Sequence, residues 1–160
     1  MSFMRKLSLA IFLVVLLGAL PAFAAETTRD EYVKAVEPIC KKNREANDKI
    51  LQGVRQKVKA GKLDAAAKQF FAAARALKRT RAQLLKVPKP SADAALLTKW
   101  LKDVKKEAEL FEAVGRKLAK GETGSANKMV VRLVSAARQA NNLVREFNFR
   151  YCEFPISRYI

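Results

Sequence analysis

The sequence predicts an all-α protein, an up-down-up-down four-helix bundle with an irregular C-terminal tail. Helix-favouring Ala, Leu, Lys, Arg and Glu are abundant, whereas only 5 Pro and 6 Gly occur among the 160 residues. Apolar residues recur every three or four positions through four segments. Four amphipathic helices joined by short turns bury their apolar faces best against one another, and a hydrophobic content of 50 % suffices for a core.

Residues 1–24 are predicted to be a secretory signal peptide. A short basic start is followed by about 14 mostly apolar residues from Leu7 to Leu20. A proline and the small residues around Phe23 then form a peptidase site, so we expect cleavage after Ala24. The alternative is an uncleaved membrane anchor, although the apolar run is shorter than the roughly 20 residues that a spanning helix needs. Residues 25–160 are then a single helical-bundle domain.

The first helix of this domain is predicted to begin at Thr28, whose spacing to Glu31 matches a capping box. Its apolar pattern continues to Ala60, and Gly61 is the expected stop. Pro38 lies inside the pattern, where it should either kink the helix or mark its true start.

Three further helices follow. The second is predicted over residues 63–86, and the segment Val87–Pro90 ends it because two prolines forbid helix there. Ser91 is the expected N-cap of the third helix. The fourth starts near Ser125, after a glycine-containing turn, and leads to the irregular tail 148–160.

The chain has two cysteines, Cys40 and Cys152. In an exported protein an even count favours a disulfide over free or intermolecular thiols. Cys40 lies two to three turns into the first helix and Cys152 lies beyond the fourth. A bond between them therefore requires a topology that returns the C-terminus to the first helix.

The sequence lacks the residues that several classes of chemistry require. His is absent, which removes the commonest general base and transition-metal ligand. No nucleophile motif, glycine-rich phosphate loop or haem-attachment motif occurs. The third helix carries Glu107, Glu109 and Glu112 among Lys and Arg residues, and this mixed helix is expected to be merely solvated. We therefore expect no enzymatic activity, no cofactor and no metal site.

The basic character of the chain is its strongest functional signal. The formal net charge is +17, and removing Arg5 and Lys6 with the signal lowers it only to +15. The second helix is the most one-sided, and its candidate anion-binding residues are Lys68, Arg75, Lys78, Arg79 and Lys86. This face could bind an anionic envelope polymer or lipid head groups, with nucleic acid less favoured, or it could be an ordinary solvated face.

Two further features allow more than one interpretation. Asn43 and Asn47 follow Cys40 on the same apolar face, with Asn141 and Asn142 expected opposite. These amides predict either a polar ligand pocket near the disulfide or a hydrogen-bonded network that fixes helix register. The aromatic tail residues form either an exposed binding patch or a plug for the bundle. The residues concerned are Phe147, Phe149, Tyr151, Phe154 and Tyr159.

Two stretches carry a family resemblance. The segment from Tyr32 to Cys40 and the ending from Phe147 to Cys152 resemble small exported helical proteins of high-GC Gram-positive bacteria. The resemblance implies that Cys40 and Cys152 are paired and that the protein belongs to the cell envelope. It carries over no activity and no functional residue.

Together these observations predict a secreted or envelope-associated binding or structural protein, with no transmembrane segment in the mature chain. The alternatives are a small-ligand carrier or sensor that uses the asparagine pocket, and a chaperone-like envelope stress protein.

Overall fold

The computed structural model describes residues 26–159, which form an all-α bundle with no strand in that range. The predicted signal peptide and its cleavage site lie outside the described residues. The helices are α1 (Arg29–Ile50), α2 (Val54–Lys59), α3 (Leu63–Leu84), α4 (Ala94–Ala119) and α5 (Thr123–Leu143). Single 3₁₀ turns occupy Ser91–Asp93, Arg145–Phe147 and Ile156–Arg158.

The start of α1 confirms the predicted capping box. The Thr28 backbone N–H donates to the Glu31 carboxylate at 2.8 Å, and the Glu31 N–H donates to the Thr28 hydroxyl at 3.3 Å. The helix passes through Pro38, so the alternative that this proline marks the true start is wrong.

The single first helix predicted to reach Ala60 is also wrong. α1 ends at Ile50, and Gly53 adopts a left-handed conformation with φ 69° before the short α2 begins. Glycine takes this conformation at little cost, whereas it is a poor residue inside a helix. The turn redirects the chain so that Leu51 and Val54 are both buried.

The start of α4 differs from the prediction as well. Ser91 is not its N-cap, because Ser91 opens a 3₁₀ turn and its hydroxyl donates to the carboxylate of Glu26. Asp93, just before α4, accepts two hydrogen bonds from the Arg29 guanidinium, at 2.6 and 2.9 Å. The first turn of α1 is thereby tied to the beginning of α4.

The long helices pack in a defined set of pairs. α4 packs against both α3 and α5, and α1 packs against α3. The rings of Phe70 in α3 and Phe111 in α4 lie 6.0 Å apart in the core. The link between Arg29 and Asp93 is compatible with an up-down-up-down order, which itself stays a prediction.

The C-terminal tail folds back against both α1 and α5. On the α1 side, the Glu37 carboxylate accepts the backbone N–H groups of Arg150 and Tyr151, at 2.8 and 3.1 Å. On the α5 side, the Asn141 side chain exchanges two hydrogen bonds with the backbone of Phe154, at 3.0 and 3.2 Å. The tail therefore acts as a further packing element of the bundle.

Aromatic side chains of the tail enter the core. Phe147, Phe149 and Phe154 are buried. Phe147 stacks on Phe149 with ring centroids 5.3 Å apart, and Phe149 stacks on Trp100 of α4 at 5.6 Å. The tail thus forms the predicted plug, and the alternative of an exposed aromatic patch does not hold for these three residues.

Cys40 and Cys152 are bonded to each other in the structure, as the sequence predicts. Their Cα atoms lie 4.9 Å apart across a separation of 112 residues. Both residues are buried, so the link joins the middle of α1 to the tail inside the core.

Gly115 in α4 offers a test of the α3–α4 contact. A Cβ at this position would lie 2.9 Å from the ring of Phe71. We therefore expect Gly115→Ala to destabilise the protein by about 1–2 kcal/mol, although Ala is the better helix former. Urea unfolding followed by Trp100 fluorescence measures the change.

Gly124→Ala in α5 is the matched control, because nothing lies within 4 Å of a Cβ placed there. It should be neutral or slightly stabilising. A Gly115→Ala variant as stable as Gly124→Ala would contradict the close approach of α3 and α4.

Candidate functional site

The five predicted anion-binding residues do not all behave alike. The helix predicted over residues 63–86 ends at Leu84, so four of the five lie on α3 and Lys86 lies in the turn that follows it. Lys68, Arg75, Arg79 and Lys86 are exposed, and none of them takes part in the ion pairs found among residues 26–159. Lys78, in contrast, pairs with Glu112 of α4 at 2.5 Å. The structure therefore keeps four of the five predicted residues free for a partner.

A groove between α1 and α3 adds a residue that sequence reasoning missed. Lys42 of α1 and Arg79 of α3 both line this groove, which has a volume of about 270 Å³. Among the described residues no carboxylate lines it, and its polar groups can donate hydrogen bonds to an anion. These donors are Lys42, Asn43, Arg79 and Gln83, whereas the hydroxyl of Thr80, which also lines the groove, donates to the Ala76 carbonyl.

We call Lys42, Lys68, Arg75, Arg79 and Lys86 together the basic face. Helix periodicity places Lys68, Arg75 and Arg79 on one side of α3, with Lys86 just beyond the helix end. Periodicity cannot show which residue of another helix lies beside them. Lys42 lies on α1, so only the packing of α1 on α3 shows that it lines the same groove as Arg79. The basic face is thus a composite of two helices.

The four asparagines predicted to form a polar pocket do not meet in one site. Asn47 is 1 % exposed and its amide donates to the backbone carbonyl and side-chain oxygen of Asn43, at 3.0 and 3.1 Å. The Asn141 side chain exchanges two hydrogen bonds with the backbone of Phe154 in the tail. Asn142 is exposed and accepts a hydrogen bond from Arg145. Each of the four side chains therefore already has a hydrogen-bond partner within the protein.

A small cavity does lie beside the disulfide. Its volume is about 30 Å³, which is the space of about one water molecule. Asn43 and Asn141 line it, together with Cys40, Cys152 and Glu107. This volume does not admit an organic ligand.

Glu107 corrects the expectation that α4 is merely solvated. Its side chain is 2 % exposed. Burial, and secondarily the charge of Asp103, raise the pKa of this carboxyl to about 8. Spacing could have revealed it, because Glu107 falls three residues after Val104 and four before Phe111, on the apolar side of α4.

Neither a metal-binding cluster nor a membrane-spanning helix occurs in the described part of the chain. Within residues 26–159, no three His, Cys, Asp or Glu side chains gather in a way that could hold a metal ion. In the same range, none of the helices combines the length and apolar character that crossing a bilayer requires.

Replacing the buried carboxyl should change how stability depends on pH. Because the folded state raises the pKa of Glu107 from 4.5 to about 8, the unfolded chain loses this proton first, and stability falls as pH rises between those values. We expect Glu107→Gln to stabilise the protein by about 1–3 kcal/mol at pH 7, and by little below pH 4.5. Urea unfolding across that range measures the difference.

Glu109→Gln is the control on the same helix, because Glu109 is exposed and Lys105 lowers its pKa. It should give no gain that grows with pH. Identical pH profiles for the two variants would contradict a neutral, buried Glu107.

Comparison with known proteins assigns no function to this chain, so the functional argument rests on its own geometry. No protein-family model, no curated protein and no solved structure matches the sequence or the fold. The resemblance to small exported proteins therefore stays a prediction, and no residue acquires a role from a relative.

Proposed function

We propose that this protein is a non-enzymatic, exported binding protein that holds an anionic polymer or anionic lipid head groups of the cell envelope on its basic face. The observation that carries the proposal is the pairing of Lys42 and Arg79 across one groove without a carboxylate in its lining. Two cations that line the same groove favour a negatively charged group there.

The length of the basic face favours an extended partner. Lys68 lies near the start of α3, and Lys86 lies two residues beyond the end of this helix at Leu84. The 16 residues from Lys68 to Leu84 correspond to roughly 24 Å along the helix. Arg75 and Arg79 lie between them on the same side. A chain of repeating negative charges can contact several of these side chains at once, whereas one small anion can contact only the groove.

The pattern of ion pairs supports the same choice. Where α3 faces α4, Lys78 is neutralised by Glu112, and Arg116 also approaches that carboxylate. The basic face has no such compensation among the described residues. Its charge therefore remains available to a partner, and binding should depend strongly on ionic strength.

Export is part of the proposal. The predicted signal peptide and the Cys40–Cys152 bond support it together, because disulfides persist mainly in oxidising compartments outside the cytoplasm. In that location the available polyanions are envelope polymers and membrane head groups, which makes nucleic acid the less favoured partner.

The two alternative functions have less support. A carrier of small ligands that uses the asparagines near the disulfide would need more room than a cavity of about 30 Å³. A chaperone-like role through the aromatic tail would need accessible rings, whereas Phe147, Phe149 and Phe154 are buried.

Charge reversal tests the basic face. The double substitution Arg75→Glu and Arg79→Glu should weaken binding to polyphosphate and to phosphatidylglycerol vesicles by at least about tenfold at 50 mM salt. It should also flatten the dependence of binding on salt concentration, because fewer counterions are released. Vesicle co-sedimentation and fluorescence titration measure these quantities, and the two probes distinguish a polymer from a lipid surface.

The control is Lys99→Glu with Lys102→Glu, which reverses two exposed charges on α4 and changes the net charge equally. If both double variants lose the same amount of binding, net charge alone is responsible. That result, or unchanged binding by the α3 variant, would remove the proposed site. Tighter binding to duplex DNA than to either probe would point to a nucleic-acid partner instead.

A further inference from the structure

An apolar pocket lies where α2 meets the turn between α4 and α5. Its volume is about 310 Å³, within the range of small-molecule sites. The lining comes from four helices, so the pocket is a feature of the assembled bundle. Val58 and Val130 form the half-buried part of its apolar lining, and the buried side chains of Val54, Phe70, Val114 and Leu118 lie behind them.

The charged residues that line this pocket are both positively charged. Arg55 and Lys59, both on α2, contribute to its lining, and among the described residues no carboxylate does. Neither cation belongs to an ion pair found within residues 26–159. The pocket therefore combines an apolar interior with two uncompensated positive charges.

Local backbone conformation sets the position of α2. The helix is bracketed by Gly53 and Gly61, whose φ angles are 69° and 71°. Both glycines allow left-handed turns that other residues adopt with strain. Between the two turns, the amphipathic α2 places Val54 and Val58 in the lining while Arg55 and Lys59 occupy the neighbouring positions.

We propose that this pocket binds a single-chain anionic amphiphile, a medium-chain fatty acid, with its alkyl chain among the apolar side chains and its carboxylate near Arg55 and Lys59. Charge complementarity selects an anionic head, and the small, single apolar cavity selects one short chain over a two-chain lipid. This site is distinct from the basic face and does not depend on the function proposed for it.

The test is a calorimetric titration of the full exported protein with octanoate, decanoate and dodecanoate below their micelle concentrations. Each added methylene should tighten binding about fourfold until the chain fills the pocket. Decanol, which lacks the charge, should bind at least about tenfold more weakly than decanoate. Affinity that does not change with chain length would overturn the proposal.

Charge reversal on α2 provides the second arm. Arg55→Glu with Lys59→Glu should weaken decanoate binding by at least about tenfold while far-UV circular dichroism stays unchanged, because both side chains are exposed. The Lys99→Glu, Lys102→Glu variant should bind decanoate like the parent. Equal loss in both variants, or self-association through this surface in place of fatty-acid binding, would refute the assignment.

Discussion

The cross-link between the middle of α1 and the C-terminal tail is the constraint on which the rest of this structure depends. The helices α3, α4 and α5 pack in sequence, and α1 packs on α3. The tail supplies contacts between α1 and α5, with Cys152 bonded to Cys40 and the Glu37 carboxylate holding two tail N–H groups. Three phenylalanines then enter the core beside Trp100 and Phe111. Closing a loop of this length removes much conformational freedom from the unfolded chain, an effect of roughly 4–5 kcal/mol in the chain-entropy account.

This arrangement separates a structural interior from two candidate binding surfaces. The polar groups near the disulfide are enclosed around a cavity that has room for about one water molecule, and burial raises the pKa of Glu107 there to about 8. The cations of the two candidate sites lie elsewhere, on the α1–α3 groove and on α2. Polar residues near the cross-link thus serve the fold, whereas the cationic surfaces remain accessible to ligands.

The helical class, the capping box and the cysteine pair followed from local patterns, because periodicity, cap spacing and cysteine parity are readable along one chain. The break at Gly53 was missed because the apolar pattern runs on through it to Val58, and the left-handed turn depends on how α2 packs. Ser91 looked like an N-cap, yet the ion pair of Asp93 with the distant Arg29 sets where α4 begins. Lys42 was missed because its neighbours on α3 decide its place, and a single sequence does not show them. Glu107 was missed although its spacing to Val104 and Phe111 places it on the apolar side of α4.

Hydrogen exchange of the tail, measured with the cross-link intact and after reduction, tests the central claim most directly. With the bond intact, the N–H groups of Arg150, Tyr151 and Phe154 should exchange slowly, since each donates to a side chain of α1 or α5. After reduction these three should exchange much faster, while the N–H groups in the middle of α4 change little. Equal tail protection in the two states, or free thiols at both cysteines of the exported protein, would contradict the account.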